Sequence, residues 1–171
     1  MIHDLMKPAL FKHVVLAFLL ATSAVMARAD LKVGDPLPDL AACKLAGKLP
    51  DALAGRVVLL DFWASWCDSC AESFPVMDGL EKKYGPAGLV IIAVDVDDSK
   101  ADMADFLKKH PVSFVTVQDA RQVLGDKVNV SGLPTSFLIG RDGKVAFIHH
   151  GFNGTDSPKA YELEIPALLK P

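Results

Sequence analysis

The chain has 171 residues, 51% hydrophobic and 23% charged, with three cysteines and a formal net charge of −3. That length and composition fit one globular domain with enough chain for a sizeable core. The charge supplies no basic field of the kind that binds nucleic acid, and no internal repeat or second domain is visible.

The first segment is expected to lie outside the fold. Lys7 and Lys12 precede an apolar run from Val14 to about Ala27, and Ala27-Arg28-Ala29 has the small-x-small pattern of a signal peptidase site. The run is about 14 residues long, short of the roughly 18 or more that span a membrane. Residues 1–29 are therefore read as a cleaved signal peptide and residues 30–171 as an exported domain, with the periplasm as its expected location. Asp4 leaves an uncleaved membrane anchor as the alternative. Cleavage would leave 15 basic and 20 acidic residues, a net charge of −5. Leu40-Ala41-Ala42-Cys43 spells a lipoprotein box, but Arg28, Asp30, Lys32, Asp35 and Asp39 separate it from the apolar run, so lipidation is not expected.

From Asp30 to Pro50, two glycines and three prolines predict an irregular lead-in with one or two short strands around Leu40–Leu45. Val57 to Phe62 is apolar apart from Asp61 and reads as a strand covered on both faces. A helix is expected from about Cys67 to Tyr84, with Cys70, Phe74, Met77, Leu80 and Tyr84 as its buried stripe and Pro75 as a kink. Leu89 to Val94 is a second buried strand, so this strand–helix–strand order implies a parallel, right-handed crossover. Asp95, Asp97 and Asp98 are read as a solvated strand end; the glycine and terminal acid of a calcium loop are missing. Ser99 caps a helix carrying Met103, Phe106 and Leu107, which ends at His110-Pro111. Phe114 to Val117 reads as a strand, and Asp119 as the cap of a short helix with Val123, Leu124 and Val128. Ser136–Ile139 and Val145–His149 form a hairpin around Asp142-Gly143. Ser157-Pro158 opens a C-terminal helix with Tyr161, Ile165, Leu168 and Leu169, which Pro166 is expected to kink or split.

The chemistry is expected at Cys67 and Cys70. Side chains three apart on a helix have Cβ atoms roughly 5–6 Å apart, within reach of a disulfide after small adjustment. Cys67 stands at the helix start, where the helix dipole favours a thiolate, so it is the expected nucleophile. Cys70, one turn further and on the buried stripe, would resolve the mixed disulfide. Asp68 lies between them and should oppose part of the thiolate stabilisation. Asp61 is expected to be buried with a raised pKa, able to take and return the Cys70 proton; the bland alternative is a carboxyl satisfied by backbone donors. A permanent bridge over so short a loop would add little stability. A zinc half-site lacks a second C-x-x-C and a suitably spaced histidine, so neither metal nor other cofactor is expected.

With Asp61-Phe62-Trp63-Ala64-Ser65-Trp66-Cys67, Cys70, Pro75 and Gly132-Leu133-Pro134-Thr135 taken together, the chain resembles the exported TlpA/ResA-like thioredoxin-fold proteins over nearly all of Leu31–Lys170. The resemblance implies an α/β three-layer fold: a central mixed sheet flanked by helices, with an N-terminal extension and a helix–strand insertion at about Ser99–Val117. It implies a cis Leu133–Pro134 bond facing the cysteines, Pro134 as part of the catalytic set, and Trp66, Leu133 and Thr135 as substrate contacts. Trp63 is either a rim or a core residue, and Glu72 either tunes the cysteines or faces solvent. Many members have Asn in place of Asp61, and the lysine that partners the corresponding Asp in thioredoxin has no match in Ile92-Ala93-Val94. Asp68-Ser69 lacks the proline of the best-known members. Cys43 has no counterpart in the motif and is read as a small buried residue, or else as a thiol for a partner. The activity implied is thiol–disulfide exchange, more in the reducing direction, on disulfide-containing substrate proteins. Electrons would come from a membrane-bound thiol reductase, with cytochrome c or copper-centre maturation as possible settings. The rivals are a thiol-dependent peroxidase and a copper-binding chaperone using Cys67, Cys70 and at most one of His149 and His150, which should point to opposite faces.

Overall fold

Seven consecutive buried residues, Val57–Trp63, form the central strand β1 of a five-stranded sheet. In this computed structural model, which describes residues 30–170, β1 lies between Leu89–Asp95 (β2) and Thr135–Ile139 (β4). Val115–Gln118 (β3) extends the sheet beyond β2, and Val145–His150 (β5) extends it beyond β4. The first three strands run parallel, whereas β4 is antiparallel to both β1 and β5. The expected signal peptide, residues 1–29, lies outside the described residues. Among the described residues no helix is long and apolar enough to cross a membrane.

Strand alternation divides β1 between two cores. Val57, Leu59 and Trp63 face Phe74, Met77 and Leu80 of Asp68–Tyr84 (α1), Phe106 of Lys100–Lys109 (α2), and Tyr161 and Ile165 of Asp156–Leu169 (α4). Val58, Leu60 and Phe62 face Leu124 and Val128 of Val123–Val128 (α3) together with Leu40 and Cys43 of the N-terminal segment. A strand covered on both sides must be apolar on both, and β1 is so except at Asp61. The inserted α2 and β3 widen the sheet at one edge, as the resemblance implies.

Helix ends follow their side chains. Ser99 Oγ accepts the Asp102 N–H at 3.3 Å. The Asp119 carboxylate accepts three N–H groups of α3, from Val123, Leu124 and Gly125, at 2.8–2.9 Å. Two expectations need correction. The lead-in has no strand around Leu40–Leu45: Ala41–Cys43 is a 3₁₀ turn, and the segment forms isolated bridges at Pro36–Lys144 and Ala46–Gln118 in place of a ladder. Prolines 36 and 38 lack the donor that a ladder needs, and Lys44 turns left-handed at φ 55°. Also, α4 begins before Ser157. Asn153 Oδ1 accepts from Thr155 and Asp156, while Ser157 Oγ accepts the Asn153 N–H, so these side chains draw two more residues into the first turn. The helix then continues through Pro166, as α1 does through Pro75.

Candidate active site

The chain leaves β1 at Trp63, turns at Ala64–Trp66 and enters α1 with Cys67 as its N-cap, in an extended conformation (φ −93°, ψ 102°). Cys67 is joined to Cys70 by a disulfide with Cα atoms 5.2 Å apart. Cys67 Sγ accepts the Cys70 N–H at 3.2 Å, and Ser69 Oγ lies 3.6 Å from it. The sulfur thus occupies the position that a capping oxygen takes at other helices, where unsatisfied N–H groups favour negative charge. Cys67 is slightly accessible and Cys70 fully buried, the asymmetry expected of an attacking and a resolving thiol. Asp68 and Glu72 are exposed. Trp66 is 71% exposed beside Cys67, whereas Trp63 is a core residue against Phe74 and Phe106, with ring centroids 4.8 and 4.6 Å away.

Asp61 sits two residues before Trp63 and faces the same core as Cys70, since Leu59 and Trp63 on either side of it do. It is 1% exposed. Its neighbour on β2 is Ala93 and on β4 Ser136. Ser136 Oγ donates to Asp61 Oδ1 at 2.6 Å, while Asp61 Oδ2 is buried with no hydrogen-bond partner among the described residues. Burial pushes the carboxyl up to about 7, partly offset by the Ser136 hydrogen bond. The backbone-satisfied alternative does not hold: the observed donor is a side chain. Ser136 and Tyr161, whose hydroxyls meet at 3.0 Å, escaped sequence reasoning. A serine inside an apolar strand was the available signal; Tyr161 read only as part of an apolar stripe.

The Leu133–Pro134 bond is cis. Antiparallel pairing of Thr135 with Phe62 brings this loop to the end of β1 from which Cys67 emerges, and Leu133 packs against the core that contains both cysteines. Thr135, expected as a substrate contact, is placed inside the loop. It is 1% exposed, and its hydroxyl donates to Gly132 O at 2.7 Å, so it braces the loop from within. The Pro134 carbonyl accepts the Gly151 N–H at 2.7 Å. On the other side of Cys67, a cleft of about 370 Å³ separates Asp68 and Ala71 of α1 from Asp102, Asp105 and Lys109 of α2.

Of the three acids at the end of β2 and just beyond it, only Asp98 is solvated; Asp95 and Asp97 are buried. The turn before Cys67 explains this. Asp97 Oδ2 accepts the Ser65 N–H at 2.8 Å, Gln118 Nε2 donates to Asp97 O at 3.0 Å, and Asp95 Oδ1 accepts the Asp97 N–H at 3.3 Å. Burial and the neighbouring Asp97 push Asp95 up to about 8. Cys43 is a buried free thiol donating to Asp39 O at 3.4 Å, its pKa raised by burial, in line with the small-buried-residue reading. His149 Nε2 lies 2.8 Å from Glu164 Oε2, whereas His150 Nδ1 lies 3.5 Å from Thr135 Oγ1, so the two rings have different neighbours. Among the described residues no group of three or more His, Cys, Asp or Glu side chains is placed to hold a metal ion.

The sequence profile of the thioredoxin-like family matches residues 55–145. The chain belongs to that family. The match runs from the turn before β1 to the first residue of β5 and so includes Asp61, both cysteines and the cis-proline loop. Among relatives of this family member, a thiol-disulfide oxidoreductase ResA of Bacillus cereus is 37% identical over 119 residues, 67% of this chain and 68% of that one. ResA of Bacillus subtilis is 43% identical over 100 residues, 58% of this chain and 55% of that one. A crystal structure from Chlorobium tepidum, provisionally named thiol:disulfide interchange protein DsbE, superposes with a TM-score of 0.76 at 39% identity, covering 82% of this chain and all of that one.

Proposed function

We propose that this thiol–disulfide oxidoreductase reduces disulfides in exported partner proteins. Cys67 is the nucleophile, Cys70 the resolving thiol and Asp61 the base that serves Cys70. The supporting observation is the stack at the end of β1: a slightly accessible sulfur capping a helix, a fully buried sulfur behind it, and a buried carboxyl on the same side of the sheet. In the reduced protein the Cys67 thiolate attacks one sulfur of a substrate disulfide. A Cys67–substrate bond forms, and the other substrate sulfur leaves as thiolate. Cys70 then gives its proton to Asp61 and attacks Cys67 Sγ. The mixed disulfide breaks, the second substrate thiolate departs, and the Cys67–Cys70 disulfide closes, so two electrons have passed to the substrate. Asp61 suits the role because a carboxyl titrating near neutrality can both accept and return a proton at working pH. Trp66 and Leu133 form the walls beside Cys67, with Pro134 fixing the loop. A membrane-bound thiol reductase would return the protein to its dithiol form in the periplasm, in a setting such as cytochrome c or copper-centre maturation. Cys43, buried and held protonated, offers no accessible second thiol for a peroxidase cycle.

Trapping with Cys70→Ser tests this reading. The variant should accumulate mixed disulfides with disulfide-containing exported proteins, released by reductant and lost in the Cys67→Ser/Cys70→Ser double variant. Absence of covalent adducts in cells that produce the variant would overturn it.

A further inference from the structure

Strand register sets a row of polar groups across one face of the sheet. Asp61 on β1 pairs with Ser136 on β4, which pairs with His149 on β5. Helix α4 covers the row. Its Tyr161 hydroxyl meets Ser136 Oγ at 3.0 Å, and its Glu164 meets His149 Nε2 at 2.8 Å, with the His149 and Tyr161 rings 5.0 Å apart. Asp61, Ser136 and Tyr161 are each no more than 2% exposed. When the carboxyl is ionised, their hydrogen bonds take one order. A serine hydroxyl has one proton, and that of Ser136 goes to Asp61 Oδ1 at 2.6 Å. Ser136 Oγ must then accept from Tyr161. The result is a directed chain, Tyr161 O–H to Ser136 O–H to Asp61 Oδ1, that leaves Oδ2 as the carboxyl oxygen not engaged by it.

We infer that Ser136 and Tyr161 are positioning residues for Asp61: their two hydroxyls hold the carboxyl in one orientation and, by donating to its charged form, set how readily it takes up and returns a proton. The inference rests on the reading of Asp61 as the base for Cys70. Titratable groups on this side of the sheet include Cys67, Cys70, Glu81 and Tyr84 of α1, Asp95 of β2, His110 at the end of α2, His149 of β5, and Tyr161 and Glu164 of α4. Burial raises the Asp61 carboxyl, and the Ser136 hydrogen bond opposes it by favouring the carboxylate. Tyr161 is linked to Asp61 by hydrogen bonds through Ser136, and burial and the Asp61 charge keep its own hydroxyl protonated.

Two readouts on the full-length chain separate this inference from the reading beneath it. The Asp61 carboxyl ¹³C resonance, titrated in the oxidised protein, reports the carboxyl itself; the pH dependence of mixed-disulfide resolution reports its use. Loss of a hydrogen bond to the charged form raises the midpoint, so Ser136→Ala should move the ¹³C titration up by roughly 0.5–1 pH unit. Tyr161→Phe should move it up by less, and should add nothing in the Ser136→Ala background. Ser136→Thr, which keeps the hydroxyl, should restore the midpoint. An unmoved midpoint in Ser136→Ala, or an equal shift in Ser136→Thr, overturns the inference. If the midpoint moves as expected while resolution keeps its pH profile, the chain stands and the role of Asp61 as base falls.

Discussion

Replacing Asp61 by Asn removes a charge that the fold is reluctant to hold, so it should stabilise the oxidised protein, by a margin that grows as pH rises above about 4. The sign follows from proton binding. Burial raises the carboxyl from its ordinary 3.8 to about 7, so between these values the folded protein keeps a proton that the unfolded chain has released. Stability then falls as pH rises, by about 1.4 kcal/mol per pH unit, and levels off once the folded carboxyl has ionised. The whole interval corresponds to about 4 kcal/mol, an upper figure for a buried group. The substituted amide would have no proton to lose, and its carbonyl oxygen can still accept from Ser136. Below about pH 4, where folded and unfolded chains both carry the proton, the acid and the amide are close in shape and hydrogen bonding, and the proteins should differ by about 1 kcal/mol or less; by about pH 5 the variant should already lead by about 1.6 kcal/mol. By about pH 8 the variant should lead by as much as about 4 kcal/mol. Asp95, pushed up to about 8, contributes a slope of its own, but it is present in both proteins and cancels in the difference. Urea unfolding at a series of pH values, without reductant and followed by tryptophan emission, measures the gap; buried Trp63 supplies the signal. A stability difference that stays constant from about pH 5 to 8 would refute a carboxyl that titrates near neutrality.

Three further outcomes follow from the same geometry. The alkylation rate of reduced Cys67 should inflect below the roughly 8.5 of a free thiol, because its sulfur accepts the Cys70 N–H at the start of α1. Asp68→Asn should lower that inflection further by removing a nearby negative charge, and an inflection at or above the free-thiol value would exclude thiolate stabilisation by the helix start. Phe106→Ala should cost about 3–5 kcal/mol in chemical denaturation, since the ring packs on Trp63 at 4.6 Å and Phe74 at 5.1 Å; a loss under about 1 kcal/mol would mean that α2 does not brace the site. Asp119→Ala should cost about 1–2 kcal/mol by stripping the cap from α3, and should leave the alkylation profile of Cys67 unchanged, because α3 packs on the opposite face of the sheet.

The strands and the long helix were legible because their signals are local. Val57–Trp63 and Leu89–Asp95 are apolar runs of strand length, and the stripe through Phe74, Met77 and Leu80 keeps helical spacing over the whole of α1. The N-terminal lead-in and the start of α4 were less legible. In the first, prolines without donors and a left-handed Lys44 override strand propensity. In the second, Asn153 Oδ1 accepts two N–H groups while Ser157 Oγ reaches back to the Asn153 N–H, and this reciprocal pair starts the helix two residues before the cap that Ser157-Pro158 suggests.

The site divides along the same line. Cys67 and Cys70 announce themselves by spacing, and Asp61 by being the one charge in an apolar strand. What they rest on comes from elements that meet only in the folded chain. Asp97 looked like a solvated acid because its letters sit among other acids and a helix cap; its burial depends on Ser65, which lies on the neighbouring strand's exit turn and needs an acceptor for its N–H. Ser136 and Tyr161 lie 75 and 100 positions from Asp61, and no local pattern links them. The link is register: antiparallel pairing of β4 with β1 sets Ser136 opposite Asp61, and a one-residue slip would turn Ser136 to the other face and leave the carboxyl with neither oxygen paired. An unpaired buried carboxylate is costly, so the same contact that readies Asp61 for proton exchange also penalises the wrong pairing of β4. The polar row therefore contributes to specifying the fold as well as to its chemistry.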